Sequence, residues 1–212
     1  DWPTDELAVA ESQLGYQESV RNVALQADGT LKGYTRYGDW YGLPYGDWCA
    51  MFVSFCLNYA EVDDMPLHCD VRPWIQILTE KKLYHTPENY MPKPGDLVFF
   101  DWEGDGATDH VGFVAEIIPE TEYEHAKLKT LEGNSDNRVQ YVYYDLDDSV
   151  LCGYSELPEN KDLYGCGFAG HSHNEYCHGA VGELNCDIPV HIHEDTCLVN
   201  SDETPTEPTS PA

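Results

Sequence analysis

Four side chains of this 212-residue chain have the types and the order needed for amide chemistry by a thiol. Cys49 stands two residues after Asp47, where an apolar run begins, and a helix that starts here would stabilise a thiolate with its unpaired N–H groups and its dipole. A thiol nucleophile needs a base within reach and a polar group that orients the base. His110 at the start of a predicted strand, followed by Glu132 and Asn134, supplies both. The pattern indicates nucleophilic catalysis.

The element that must position Cys49 is a helix over residues 48–60. This run is apolar nearly all round, which is typical of a helix buried in the middle of a domain, and Asp47 is its expected N-cap. Cys56 lies in the same helix and is predicted to be a core residue. Burial is also the alternative for Cys49, since free cysteine usually behaves as a small hydrophobe. The nucleophile assignment therefore depends on the partner residues.

The remaining elements place helices before an antiparallel sheet. Residues 4–14 form a predicted amphipathic helix, and residues 33–48 form a Gly/Tyr/Trp-rich ordered loop. The strand that His110 opens should alternate, with its odd-numbered residues through Ile117 on one face. This order predicts an α+β domain over residues 1–158. The predicted strands are 97–100, 110–117, one that ends at 131–132, and 138–143.

Composition excludes several classes of protein. The chain has 39 Asp and Glu against 11 Lys and Arg, a net charge of −28, so it lacks the basic surface with which proteins bind nucleic acids or anionic membranes. With 42% hydrophobic and 12% aromatic residues, it is too apolar to be a disordered polymer. No apolar run is long enough to span a bilayer, and the sequence as given starts at Asp1 without a basic-then-apolar export segment. We expect any signal peptide to have been removed.

Four blocks of the sequence resemble the CHAP amidohydrolase/peptidase domains of the NlpC/P60 superfamily, which share a papain-like core. The blocks stand in family order, and the resemblance covers about residues 5 to 157. It implies that Cys49 is the nucleophile, His110 the general base and later the acid, and Glu132 the group that orients the imidazole, with Asn134 at a further polar position of the active site. It also implies N-terminal helices packed on an antiparallel sheet. The blocks are residues 45–53, 93–100, 109–114 and 131–134.

The resemblance implies hydrolysis of an amide bond in bacterial peptidoglycan through an acyl-enzyme on Cys49, with no cofactor for catalysis. An N-acetylmuramoyl-L-alanine amidase and a stem- or cross-bridge endopeptidase would use the same chemistry, so the bond is left open. The alternatives are a non-catalytic surface protein that binds peptidoglycan for adhesion, and a peptidase or transglutaminase that acts on proteins. The presence of nucleophile, base and orienting acid together favours the enzyme. We expect it to be secreted or on the cell surface of a Gram-positive bacterium.

Aromatic side chains crowd the segment that leads to Cys49. Trp40, Tyr45 and Trp48 are candidate substrate-binding residues, because their rings could line a cleft for sugar faces or a stem peptide. The alternative is that they pack the segment onto the core. Trp48 is the expected substrate contact, because it adjoins the nucleophile.

The acidic segment before His110 resembles half of a calcium-binding loop. Oxygen ligands stand at alternate positions and a glycine at the sixth, but Gly112 occupies the twelfth position, where an EF-hand has a bidentate Glu. A turn of solvated acids fits the segment equally well, and Asp109 is also placed to tune His110. The calcium ligands would be Asp101, Glu103, Asp105 and Asp109.

The last part of the chain carries an internal repeat, in which the pattern Cys-x4-His-x-His-x3-Cys occurs twice. Two Cys and two His per unit match tetrahedral structural zinc, and so small a unit needs a staple to fold. Disulfides are the alternative, but they leave the His-x-His pairs unexplained. Residues 159–200 are therefore predicted to form a zinc module, which resembles Cys/His modules of Gram-positive surface proteins, and 201–212 a Pro/Thr-rich linker to a further domain or wall anchor. The predicted zinc ligands are Cys166, His171, His173, Cys177, Cys186, His191, His193 and Cys197.

Overall fold

The computed structural model describes residues 2–122 and 124–158, which lie within one compact unit, residues 1–159. The predicted zinc module and linker lie outside the described residues. The described elements are α1 (Trp2–Glu11), β1 (Val23–Leu25), β2 (Leu31–Gly33), α2 (Arg36–Tyr41), α3 (Cys49–Tyr59), α4 (Arg72–Glu80), β3 (Tyr84–His85), a 3-10 turn (Pro87–Asn89), β4 (Leu97–Phe100), β5 (His110–Ile118), β6 (Lys127–Ser135), β7 (Arg138–Asp145) and β8 (Leu151–Ser155). None of the helices among these residues is long and apolar enough to cross a membrane.

In the described part of the chain, six strands form the main sheet in the order β3-β8-β4-β5-β6-β7, and every neighbouring pair is antiparallel. β4 lies inside this sheet and all four of its residues are buried, which explains why its sequence is a continuous apolar run. The last residue of β4, Phe100, pairs with the first residue of β5, His110. The predicted α+β class with an antiparallel sheet is therefore confirmed, and His110 stands where β5 begins.

Helix α3 packs on one face of this sheet. Eight of its 11 residues are buried, as the predicted helix over residues 48–60 requires. The ring of Phe52 meets that of Phe113 in β5 edge to face, with centroids 6.1 Å apart. Each large side chain buried here stabilises the fold by about 1.5–3 kcal/mol, so the position of α3 against β5 is strongly determined.

The opposite face of the sheet carries a second apolar cluster, and a β-bulge decides which residues belong to it. The register of β5 shifts between Val114 and Glu116, so that Ala115 stays on the α3 side while Ile117 turns to the second cluster. Ile117 therefore lies on the opposite face of the sheet from Phe113, and the prediction that the two share a face is wrong. The second cluster consists of Val98, Phe100, Val114, Leu128, Leu151 and Tyr154.

The segment predicted to be a loop contains the short helix α2. The side chain of Thr35 accepts a hydrogen bond from the N–H of Gly38 over 3.0 Å and caps the helix, and Gly42, at φ 93°, ends it. Six residues are too few to show a helical period, so only these capping residues signal the helix. At the N-terminus, α1 begins and ends earlier than the predicted helix over residues 4–14.

Candidate active site

Cys49 is the first residue of α3 and borders a cleft. Trp48 is the N-cap residue and no side chain caps the helix, so the N–H groups of the first turn have no side-chain acceptor. These groups and the helix dipole stabilise negative charge on the sulfur or on an oxygen beside it. The prediction that Asp47 caps α3 is wrong, because its carboxylate forms an ion pair with Lys32 instead.

His110 is buried beside Cys49, with 7% of its surface exposed. Its Nε2 lies 2.9 Å from Oε2 of Glu132, so Nδ1 is the ring nitrogen that meets the thiol. Burial acts to lower the pKa of the imidazole, but the hydrogen bonds and charges of Cys49 and Glu132 outweigh burial and raise the pKa of His110 to about 10. The imidazole is therefore held in its protonated form at neutral pH.

Glu132 is 1% exposed, and three donors contact its carboxylate. Besides His110, the hydroxyl of Thr130 donates to Oε1 over 2.6 Å, and the phenol of Tyr144 lies close enough to the same side chain to interact with it. Burial, and then the charge of Glu132, raises the pKa of Tyr144, so the phenol keeps its proton. These donors offset the cost of burying the carboxylate and fix its orientation.

Thr130 and Tyr144 were not predicted. Thr130 stands two residues before Glu132 in the same strand, and a period of two places both side chains on one face, so this partner could have been found from the sequence. Tyr144 comes from β7, and only the pairing of β7 with β6 brings it to the site.

Aromatic rings enclose the His110–Glu132 pair. The ring centroids of Phe100 and Trp102 lie 5.4 Å and 6.1 Å from that of His110. Trp102 stacks on Phe100 at 5.1 Å and is 47% exposed, so it covers the pair on the solvent side. Limiting water here strengthens the hydrogen bond between imidazole and carboxylate.

Two glycines allow the backbone to bring these elements together. A Cβ at Gly112 would lie 2.8 Å from Cγ of Glu132, so a side chain there would push the carboxylate away from His110. A Cβ at Gly133 would lie 2.4 Å from the ring of Phe52, so β6 can lie directly on α3 only because this residue is glycine. These two glycines therefore help to set the distance between Cys49 and His110.

Cys49 opens on a cleft of about 360 Å³. Among its described lining residues, the carboxylates of Asp47, Asp70 and Asp109 accompany a single guanidinium, that of Arg72, whose Nε lies 3.9 Å from Asp70 Oδ1. This excess of negative charge favours a neutral or cationic substrate over an anionic one. The part of the cleft formed by residues 69–72, where α4 begins, was not predicted, because no local sequence pattern links these residues to Cys49. The other lining residues are Leu43, Gly46, Met51, Cys69, Val71 and Thr108.

None of the three predicted aromatic contacts is among the described residues that line this cleft. Trp48 is fully buried, stacks on Tyr37 with centroids 5.3 Å apart, and donates from Nε1 to Glu18 over 3.0 Å. It packs the core, which is the alternative considered for these residues, and a substrate cannot reach its ring. Trp40 and Tyr45 are half-buried, and neither is among the described residues that line the cleft.

Asn134 is the remaining residue predicted for the active site. It lies in the β-bulge of β6 beyond Glu132, with φ 61°, a left-handed conformation that asparagine tolerates. In the described contacts it makes no hydrogen bond to His110, and it does not line the cleft. Its part in catalysis stays a prediction.

The acidic loop before β5 is closed by its own backbone. Asp101 accepts hydrogen bonds from the N–H groups of Gly106 (2.8 Å) and Gly104 (2.7 Å), which lower the pKa of its carboxyl, and Asp109 accepts from the N–H of Trp102 (2.7 Å). The described residues include no group of three or more His, Cys, Asp or Glu that could hold a metal ion. The geometry therefore gives no support to calcium binding, which stays a prediction for Asp101, Glu103, Asp105 and Asp109.

This arrangement is suited to acyl transfer. Cys49 supplies a thiol beside a buried imidazole, and Glu132 holds that imidazole through Nε2 so that Nδ1 faces the sulfur. The uncapped N–H groups of α3 lie where an oxyanion would form next to the sulfur.

Residues 38–134, which include Cys49, His110 and Glu132, match the family model of the CHAP domain. CHAP domains are generally cysteine- and histidine-dependent amidohydrolases or peptidases, and the match suggests a peptidoglycan hydrolase or amidase-type function. Comparison with curated proteins and with solved structures gave no match. The resemblance to CHAP domains is confirmed for these residues, while membership of the NlpC/P60 superfamily stays a prediction.

Proposed function

We propose that the protein hydrolyses an amide bond of bacterial peptidoglycan by a Cys-His-Glu mechanism. The observation that carries this proposal is the contact of Cys49, at the uncapped start of α3, with His110, whose other ring nitrogen lies 2.9 Å from Glu132. The match of residues 38–134 to the CHAP domain supports peptidoglycan as the substrate. No cofactor is needed for these steps.

In acylation, the sulfur of Cys49 attacks as the thiolate beside protonated His110 and forms a bond to the carbonyl carbon, while His110 keeps its proton on Nδ1. The carbonyl electron pair moves onto oxygen, where the first-turn N–H groups of α3 stabilise the oxyanion. The C–N bond then breaks, and His110 gives its proton to the leaving amine. The acyl group is left on the sulfur as a thioester.

In deacylation, water attacks the thioester while His110 takes one of its protons. The C–S bond breaks, the carboxylic acid departs, and the sulfur of Cys49 leaves as the thiolate beside His110, which keeps the proton taken from water. One amide and one water thus give one acid and one amine. Throughout the cycle Glu132 keeps the ring oriented and does not itself transfer a proton.

The charge of the cleft supports a stem peptide near the scissile bond, since Asp47, Asp70 and Asp109 favour neutral or cationic segments. An amidase and a stem- or cross-bridge endopeptidase both fit this charge, and their products distinguish them. An amidase releases intact stem peptides from the glycan, whereas an endopeptidase leaves shortened stems on it. Such a substrate fits a protein that is secreted or held on the surface of a Gram-positive bacterium.

The test is digestion of purified peptidoglycan by the wild-type chain, by Cys49→Ala and by Cys56→Ala, with fragments identified by mass spectrometry. The wild type and Cys56→Ala should release the same fragments, and Cys49→Ala none. Equal release by Cys49→Ala would refute the nucleophile assignment. Tight binding of peptidoglycan by the wild type without any release would instead support the non-catalytic surface protein.

For the tail, which lies outside the described residues, we propose that each Cys/His unit of 159–200 binds one zinc ion. Metal analysis of the purified chain should give two zinc ions per molecule, and a chelator should make the tail cysteines reactive towards alkylating agents. If these cysteines react only after reduction and no zinc is present, the disulfide alternative is correct.

A further inference from the structure

A second pocket, of about 350 Å³, lies beside the second apolar cluster and shares none of its described lining residues with the cleft at Cys49. We call it the Tyr154 pocket. Its walls combine apolar side chains with the phenols Tyr90 and Tyr154 and with three polar residues, Glu120, His125 and Asp147. The apolar walls are Pro87, Met91, Pro92, Ala126 and Leu146.

The hydroxyl of Tyr154 is the first sign of a ligand. The side chain is 1% exposed, and its hydroxyl has no hydrogen-bond partner among the described residues. Burial raises the pKa of Tyr154 to about 12, so the phenol offers both a donor and an acceptor at neutral pH. Because an unpaired buried hydroxyl is costly, it points to a polar group on a molecule that enters the pocket.

Two carboxylates give this pocket a preferred charge. Glu120 and Asp147 are exposed, and within the described part of the chain neither carboxylate has a hydrogen bond or an ion pair. Among the described lining residues, only His125 can carry a positive charge. The pocket therefore repels phosphates and carboxylates and attracts an ammonium group.

A sugar, the alternative polar ligand, fits the walls less well. Sugars stack their apolar faces on exposed aromatic rings, but His85 already stacks on Tyr90 with centroids 4.4 Å apart, and the ammonium of Lys93 lies 5.8 Å from the same ring. The ring of Tyr154 is buried. What the pocket does offer is aliphatic surface, including Met91, which is 64% exposed. An aliphatic stem packs well on such a wall.

We infer that the Tyr154 pocket binds a primary ammonium at the end of an aliphatic stem, as in the side chain of a lysine-type residue of a peptide. The stem lies on Met91 and Leu146, and the ammonium lies between Glu120 and Asp147. The Tyr154 hydroxyl accepts a hydrogen bond from the ligand. The site is separate from the catalytic cleft, so it stands whether or not Cys49 is a nucleophile.

Titration of the ¹⁵N-labelled full chain with Nα-acetyl-lysine methylamide tests this inference, with Nα-acetyl-norleucine methylamide as the uncharged probe and a tetramer of N-acetylglucosamine as the neutral sugar. The lysine probe should give saturable amide shifts at Leu146, Asp147 and Tyr154. Glu120→Gln combined with Asp147→Asn should weaken its binding about tenfold, since each exposed ion pair is worth only a modest factor. Tyr154→Phe should weaken it less.

The matched control is Asp63→Asn with Glu103→Gln, two exposed carboxylates outside the pocket whose loss changes the net charge equally. It should leave the affinity unchanged. The inference is overturned if the lysine probe does not saturate at the pocket, if the control weakens binding as much as the pocket variant does, or if the norleucine probe binds as tightly. Saturable binding of the sugar tetramer there, without the lysine probe, would also overturn it. Binding does not require catalysis, so failure of the proposed hydrolysis would leave these results unchanged.

Discussion

The two cysteines of α3 stand about two turns apart in one helix and both are buried, but the groups around them differ. Cys49 begins the helix, borders the cleft and contacts His110. Cys56 is fully buried, and burial together with the nearby carboxyl of Glu6 raises its pKa well above the usual range. Two cysteines of one helix therefore differ in reactivity: Cys49 is placed to react, and Cys56 is not.

Helix α3 stabilises an anionic sulfur at its first turn and not further along its length. At Cys49 the N–H groups are unpaired and a cationic imidazole is adjacent, so an anion is favoured. Glu6, the acid whose charge acts on Cys56, is itself buried, and both of its carboxyl oxygens lack hydrogen-bond partners among the described residues. Burial, followed by the charge of Asp96, raises the pKa of Glu6, so this region disfavours every anion.

The largest expected difference is in alkylation. Under native conditions, iodoacetamide should modify Cys49 at least about 10³-fold faster than Cys56, since Cys56 reacts only when the structure opens. Mass spectrometry of proteolytic peptides over time separates these cysteines from the others. Comparable rates for both would contradict the comparison, and equal labelling in denaturant is the control for intrinsic reactivity.

The next effect concerns the acid that orients His110. Glu132→Gln should lower kcat/KM roughly 100-fold, because the ring loses its charged partner. It should also move the alkaline limb of the pH profile to lower pH, since one of the groups that raise the pKa of His110 towards about 10 is removed. Glu116→Gln, an exposed carboxylate of the same sheet, is the matched control. An unmoved limb would contradict the role given to Glu132.

The raised pKa of His110 also makes stability depend on pH. The folded imidazole holds its proton more tightly than the unfolded one, so this contribution is full below about pH 6.5 and is lost as the pH rises towards about 10. In Glu132→Gln this alkaline loss should be smaller. Thermal unfolding at pH 6 and pH 9 measures it, and the same loss in both chains would count against the ion pair.

A smaller effect is expected from the phenol that supports Glu132. Tyr144→Phe should lower kcat by a factor of about 3–10, because Glu132 keeps two of its three donors. KM should stay unchanged, since Tyr144 does not line the cleft. Tyr143→Phe, its exposed neighbour, is the control. A rise in KM with kcat preserved would place Tyr144 at the substrate instead.

The smallest expected effect is on stability, and it comes from Glu6, the buried acid beside Cys56. Above about pH 4.5 the unfolded carboxyl of Glu6 releases its proton while the folded one keeps it, so the wild type loses stability as the pH rises. Glu6→Gln has no such proton, and its free energy of unfolding relative to wild type should rise by on the order of 1 kcal/mol from pH 4 to pH 8. Urea unfolding at both values measures this, with activity unchanged. A difference that is constant with pH would mean that Glu6 is ionised in the fold.

The sequence predicted those parts of the site that local patterns encode. Helix α3, strand β4 over residues 97–100 and the start of β5 at His110 follow from apolar runs and alternation, and the structure confirms them. Cys49, His110 and Glu132 are brought together as their order suggested. Local periodicity works here because the buried faces of these elements leave little freedom in packing.

The rest depended on contacts between distant parts of the chain. Trp48 was placed at the substrate because it adjoins Cys49, but neighbouring residues at a helix start point in different directions, and its ring packs on Tyr37. The bulge in β5 is invisible to a strict period of two. The cleft wall at Asp70 and Arg72 and the donor Tyr144 reach the site only through tertiary packing.

The glycine that lets β6 touch α3 makes the site vulnerable at a position that has no chemical role. A methyl group at Gly133 would have to displace the ring of Phe52, and β6, which carries Glu132, would move away from the helix that carries Cys49. A protein altered in this way would keep every reactive group and would still fail to assemble them. Inspection of reactive residues alone would therefore count an inactive relative as a working enzyme.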